Sequence, residues 1–236
     1  MGIKGQKQII VDSILKINRN KTKLISPKKI NCNINKDENT LEFFLDYETV
    51  NKDDETWIFM IGVGCPSQKN NEFIFKCFYL DELSYNSQQQ LFSDFWEWIN
   101  VKTLEFNKLK HVFCHWTKAE PIQYNKWAKK FLLPNKTFID LYDTFKNEPI
   151  VVKGAFNFSL KSIAKAMYKN KMIQTTWVES SCLSGLDALY WALQLYKNDN
   201  KLNLELQHIM NDVVQYNKVD CQVLYEIITY LRNNHI

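Results

Sequence analysis

The sequence predicts an α/β fold in which a mixed central sheet, an antiparallel meander followed by parallel strands, is flanked by helices. Three observations predict it. Three apolar, aromatic-rich runs come first: LEFFL (41–45), WIFMIGVGC (57–65) and EFIFKCFYL (72–80). Such runs read as buried strands, and the polar turns between them favour antiparallel neighbours. A helically spaced segment and another apolar run, HVFCHW (111–116), come next, and from there the spacing is mostly helical. Strands, helix, strand and then helices is the order of a layered α/β domain.

Taken in order, residues 5–18 place Ile9, Ile10, Ile14, Leu15 and Ile17 at helical spacing. Residues 19–40 are polar, rich in Lys and Asn, and are expected to link this basic N-terminal helix to a domain spanning 41–236. LFSDFWEWI (91–99) and PIQYNKWAKKFLL (121–133) read as helices on either side of the strand HVFCHW. Phe138–Phe145 is short and mixed. SLKSIAKAMY (159–168) is helical with Ser159 as its N-cap. GLDALYWALQLY (185–196) and residues 202–231 are helical, ending in a polar tail.

At 236 residues the chain suits one domain with an extension, and 45% hydrophobic residues suffice for a core. The net charge of +4 conceals an uneven distribution. Residues 1–40 hold nine Lys/Arg against three acids, residues 41–100 three against eleven, and residues 101–171 fourteen against five. An acidic block followed by a basic one suits a site that binds cations and then a polyanion; by themselves the lysines read first as solvated surface. Cys32, Cys65, Cys77, Cys114, Cys182 and Cys221 form no CxxC pair and are expected as buried free thiols. Neither a membrane-length apolar run nor a signal-peptide stretch is present, so an intracellular location and no membrane partner are expected.

The acids recur where phosphodiester chemistry would use them. Asp46 and Glu48 follow the first strand, and side chains two apart on a strand share a face. Two such acids repel each other, and divalent cations remove that repulsion. A pair of ions roughly 4 Å apart can clamp the attacking and leaving oxygens of a phosphodiester. On their own the two acids read first as solvated groups at a strand end. Tyr216 and Asp220 lie four apart on one helical face. They read either as a water-orienting tyrosine beside a metal ligand, or as a packed tyrosine beside a solvent-facing acid. Glu120 closes Thr117-Lys-Ala-Glu120, the form of a capping box. Spacing alone leaves it divided between capping its own helix and reaching a metal. Asp140 is a supporting or reserve acid, and Asp143 is expected to be exposed or a cap.

Five segments in this order, FLDYET (44–49), His115 to Glu120, Asp140-Leu141, Ser159-Leu-Lys161 and Tyr216-Asn-x-x-Asp-Cys221, resemble the RNase H-like exonucleases with four acids and a tyrosine (the DEDD superfamily, tyrosine subtype). More closely, they resemble the RNase H-like domain that accompanies predicted RecB-type nucleases. The resemblance spans residues 41–232 and implies an RNase H-like fold. It implies a 3′→5′ exonuclease that hydrolyses DNA or RNA to nucleoside 5′-monophosphates. Asp46, Glu48, Glu120 and Asp220 would hold two Mg²⁺ or Mn²⁺ ions, and Tyr216 would orient the attacking water. The wider superfamily usually has Asp where this chain has Glu120, which is one methylene longer. The histidine subtype is disfavoured, because no His lies within a turn before Asp220. On the same reading Lys153, Lys161 and Lys165 contact phosphates, while Tyr47 and Trp116 stack on a terminal base. Helix-surface lysines and core aromatics are the alternatives. The implied partner is a nucleic-acid 3′ end, with a separate helicase or nuclease chain as a further one. The alternative function is a catalytically inactive RNase H-like module that binds nucleic acid or serves as an interaction domain of a repair or helicase assembly. In that case FWEWI (95–99) would face a partner.

Overall fold

A computed structural model describes residues 5–30, 37–68, 72–177, 185–197, 201–203 and 206–236. In chain order the elements are α1 (Gln6–Arg19), β1 (Ile25–Ser26), β2 (Thr40–Lys52), β3 (Glu55–Pro66), β4 (Phe73–Tyr79), α2 (Tyr85–Glu105), β5 (Lys110–His115), α3 (Ala119–Phe131), β6 (Phe138–Asp140), α4 (Leu141–Asn147), β7 (Val151–Val152), α5 (Leu160–Lys169), α6 (Gly185–Leu195) and α7 (Gln207–His235). Five strands form a sheet in the order β4-β3-β2-β5-β6. The β4-β3-β2 half is antiparallel and the β2-β5-β6 half is parallel. This is the mixed sheet that the sequence predicts, with β6 as an additional strand.

β2 runs well past LEFFL. It continues to Lys52, turns through Asp53 and Asp54, both at positive φ (53° and 58°), and returns as β3. Two left-handed residues match the twist of a hairpin. Asp46 and Glu48 therefore lie within the strand, not at its end. The mixed stretch 138–145 resolves into β6 and α4, which meet at Asp140. That residue ends the strand and caps the helix, its Oδ1 accepting the Tyr142 N–H at 2.9 Å. The predicted cap of α5 forms too, with Ser159 Oγ accepting the Ser162 N–H at 3.3 Å.

Strand alternation sorts the two faces of the sheet. Phe43 and Phe113 stack on each other on the face covered by α2 and α3, where Phe43 meets Trp98 and Phe113 packs with Phe95 and Trp96. FWEWI thus faces inward, with Phe95, Trp96 and Ile99 buried. The even-numbered residues of β2 meet α7 on the other face. Arg232 forks onto Glu42 with bonds of 2.7 and 2.6 Å. Tyr225 packs on Phe44 at 5.4 Å between ring centres, and Asn217 reaches Asp46. These three contacts lay α7 along β2 and carry Asp220 to the acids of the strand.

Beside those acids the β2–β3 ladder is irregular. Glu48 pairs with Met60 but Thr49 pairs with Ile58, so β3 carries an extra residue at Phe59. Bulges re-aim the side chains next to them. Gln88 of α2, fully buried, accepts the Ile58 N–H at 3.0 Å and donates to the Ile58 carbonyl at 3.2 Å. Replacing Gln88 by Ala would strand both backbone groups and is expected to destabilise the fold by about 1 to 2 kcal/mol. Urea denaturation would check this; an unchanged midpoint would remove Gln88 as the support of the bulge.

Residues 20–30, expected as linker, include β1, which pairs antiparallel with β7. Ile17, Ile25 and Ile30 are buried, and the Ile30 N–H donates to the His235 carbonyl at 2.7 Å. Cys65, Cys114 and Cys221 are buried free thiols and Cys77 a half-buried one; burial pushes the Cys65 and Cys77 thiols up to about 12. Cys32 and Cys182 lie outside the described residues. Among the described residues no helix is long and apolar enough to cross a membrane.

Candidate metal centre

Asp46 and Glu48 project from one face of β2, and α7 delivers Asp220 to the same place. One carboxylate oxygen from each lies within 4.8 Å of the other two. Opposite ligands of one Mg²⁺-sized ion are about 4 Å apart, given bonds of about 2.1 Å, so the three acids stand at ion-sharing distance. Glu48 and Asp220 are buried, and Asp46 is the most open of the three.

Glu120 joins this centre as its neighbour. The capping box does not form: the Thr117 N–H donates to Asp140 Oδ1 at 3.0 Å, and α3 has no side-chain cap. Glu120 is buried, and its Oε2 lies 3.2 Å from His115 Nδ1. Beyond this contact, neither buried atom has a hydrogen-bond partner among the described residues. Asp140 Oδ2 is likewise buried without a hydrogen-bond partner among the described residues. A carboxylate oxygen in that condition is an acceptor that a cation would satisfy.

A family model described as RNase H superfamily matches residues 43–232. The chain belongs to the RNase H superfamily. No curated protein and no solved structure matches it. For an RNase H domain, a buried acidic cluster of this kind suggests a nuclease that uses divalent metal.

The electrostatics of this RNase H centre agree with a cation site. Burial, followed by the charges of Asp220, Glu48 and Glu120, pushes the Asp46 carboxyl well above the usual range. Burial and then the Asp220 charge push Glu48 up to about 8. Burial also pushes Asp220 up to about 7, opposed by the Lys161 charge, a hydrogen bond from Tyr216 and the nearby Trp177 indole. Glu120 is raised by burial, against the pull of His115. Without a cation the centre therefore holds protons at neutral pH; a divalent ion would displace them.

Tyr216 is buried one helical turn before Asp220, as its spacing predicts. Lys161, in the first turn of α5, places its ammonium 4.3 Å from the Tyr216 ring centre and 5.4 Å from that of Trp177. Of the lysines singled out by sequence, it is the one whose charge acts on the acids. Lys165 is exposed one turn further along α5. Lys153 is engaged elsewhere, donating to the carbonyls of Asn20 and Lys21. Both proposed stacking aromatics are core residues. Tyr47 sits at an odd position of β2, on the face away from the acids, and is 9% exposed. Trp116 is 8% exposed, packs against Phe145 and donates its indole N–H to the Phe158 carbonyl. Neither is offered to a base. Asp143 lies in the first turn of α4, half-buried, while Asp140 provides the cap.

Trp177 was not signalled by any motif. Its loop is tied to α7 by Glu226, which accepts the Gln174 and Thr175 N–H groups at 2.7 and 2.9 Å. That tie brings the indole alongside Asp220. An isolated tryptophan in a polar stretch was its only trace in the sequence.

Proposed function

We propose that the protein is a metal-dependent 3′→5′ exonuclease that releases nucleoside 5′-monophosphates from DNA or RNA. The observation that carries the proposal is the buried triangle of Asp46, Glu48 and Asp220, whose oxygens lie within 4.8 Å of one another and whose carboxyls are all held above their usual range. These three, with Glu120 as the fourth acid, would hold two Mg²⁺ or Mn²⁺ ions. Bound there, such ions supply an activated water and a counter-charge for the departing 3′ oxygen. The protein's own share is positional. Asp46 and Glu48 are fixed by the β2–β3 ladder, and Asp220 by the length of α7. Tyr216 is set to orient a water beside Asp220, and Lys161 to meet the phosphate that approaches it.

The test uses DNA and RNA strands labelled at the 3′ or the 5′ end, incubated with the protein and Mn²⁺. Mononucleotides released first from the 3′ label are the expected result. Internal fragments would make the protein an endonuclease. Binding without any release would favour the inactive nucleic-acid-binding or interaction module of a repair or helicase assembly. Repeating the assay with a helicase or nuclease partner chain, once one is identified, would show whether the site works alone.

A further inference from the structure

We propose that Asn217 and Gly62 form a positioning device for the metal-binding acids, an inference that rests on the Asp46–Glu48–Asp220 cluster being a cation site. Asn217 is wholly buried on α7. Its Nδ2 donates to Asp46 Oδ2 at 2.8 Å and to the Asp46 carbonyl oxygen at 3.3 Å. The same amide favours the charged form of Glu48. At the other end, Asn217 Oδ1 accepts the Cys221 thiol at 4.0 Å. That contact fixes which way the amide faces: its oxygen toward the thiol, its NH₂ toward the acids. Tyr216–Asp220 and Asn217–Cys221 are thus two neighbouring stripes of α7, each spaced by four. The first carries a metal-binding acid and its tyrosine, and the second holds the acids of β2.

Gly62 gives the amide its room. It stands directly opposite Asp46 in the β2–β3 ladder. A Cβ at position 62 would fall 1.4 Å from Asn217 Oδ1 and 2.6 Å from its Cγ. The Gly62 backbone is not in the left-handed region, so space, not conformation, demands glycine there. A glycine within a central strand otherwise weakens it, and its usual meaning is a close approach of another group. The chemistry suits two acids that share an ion. A neutral donor occupies one oxygen of Asp46 and leaves the other for the cation. A lysine in its place would compete with the ion it was meant to help.

Mn²⁺ alone is the probe, its binding read by electron paramagnetic resonance of the free ion and by the metal-induced rise in melting temperature. Asn217→Ala is expected to weaken Mn²⁺ binding about 10- to 100-fold, the usual effect of losing a group that orients a ligand. Gly62→Ala is expected to do the same with Asn217 still present. The double variant Gly62→Ala/Asn217→Ala separates positioning from packing, because the added methyl refills the space the amide leaves. It is expected to recover metal-free stability relative to either single variant while still binding Mn²⁺ weakly. Recovery of Mn²⁺ affinity in the double variant would show that the amide only filled space, and would overturn the proposal. So would wild-type affinity in Asn217→Ala, or a double variant no more stable than the singles. If a single variant does not fold, the double variant still gives the answer. A wild-type protein that binds no Mn²⁺ removes the cation site itself, a failure visible before any variant is compared.

Discussion

Replacing Asp220 by Asn is expected to lower metal-dependent phosphodiester hydrolysis by about 10³-fold or more, while raising the melting temperature of the metal-free protein. The first effect follows from the loss of a ligand oxygen at a centre where metal supplies several kcal/mol of transition-state stabilisation, each 1.36 kcal/mol being a factor of ten. The second follows from the same geometry. The Asp220 charge is the strongest charge raising both Asp46 and Glu48, so neutralising it at constant shape relieves repulsion at the heart of the fold. In a domain of this size each kcal/mol so gained is worth roughly 2 to 4 °C. Opposite movements of activity and stability mark a site kept for function at the expense of stability. The check is a melting curve in EDTA beside an initial-rate assay in Mn²⁺. A solvated acid predicts no change in either, and a purely structural acid predicts lower stability. Either result would remove Asp220 from the centre.

The β4-β3-β2-β5 core of the sheet was legible because its strands are apolar runs set off by polar turns. The far half of β2 was not, because Asp46 to Lys52 reads as polar and is covered only once α6 and α7 lie across it. β6, β1 and β7 have three, two and two residues, too few to show any period. Asp46, Glu48 and Asp220 could be picked out by type and spacing, since side chains two apart on a strand and ordered motifs survive in one dimension. Tyr47 shows the same rule neglected: if Asp46 and Glu48 face α7, the residue between them must face α2 and α3. Glu120 was undecidable because a capping box and a site acid look alike until Thr117 N–H is seen to donate to Asp140. Gly62 and Asn217 were out of reach for a different reason. Their meaning lies in one contact across the sheet surface, between residues far apart in the chain.

Between pH 6.5 and 8 the metal-free protein is expected to lose stability as the pH rises, and Mn²⁺ or Mg²⁺ is expected to cancel that loss. Carboxyl groups whose folded pKa lies above the unfolded value stabilise the fold fully at pH below the unfolded value, near 4. They surrender that stability progressively from the unfolded value upward, and the loss is complete once the pH has passed the folded value. For Asp220 and Glu48 those folded values are about 7 and about 8, and Asp46 is raised as well. Each proton bound in the folded but not the unfolded state steepens the slope by about 1.4 kcal/mol per pH unit, so the total across this window is on the order of 3 kcal/mol. Other shifted groups act elsewhere or oppositely. His111, held down to about 4 by burial, makes stability rise with pH between about 4 and 6.5. Glu55, held down to about 2 beside Lys126 and Lys130, acts only below about 4.5. Over the range where His111 contributes one proton's rise, Asp46, Glu48 and Asp220 together contribute a steeper fall, so the stability of the metal-free protein should crest near pH 4 and fall above it. With divalent metal the acids are ionised and paired at every pH in the window, and the fall should disappear. Glu48→Gln should flatten the metal-free slope by about one proton's worth, and its melting temperature at pH 8 should exceed that of the parent. Urea titrations at half-unit pH steps, with and without Mn²⁺, measure all three. A metal-free stability that stays level or rises from pH 6.5 to 8 would mean that the acids are ionised without a cation, and the charge argument for a metal centre would go with it.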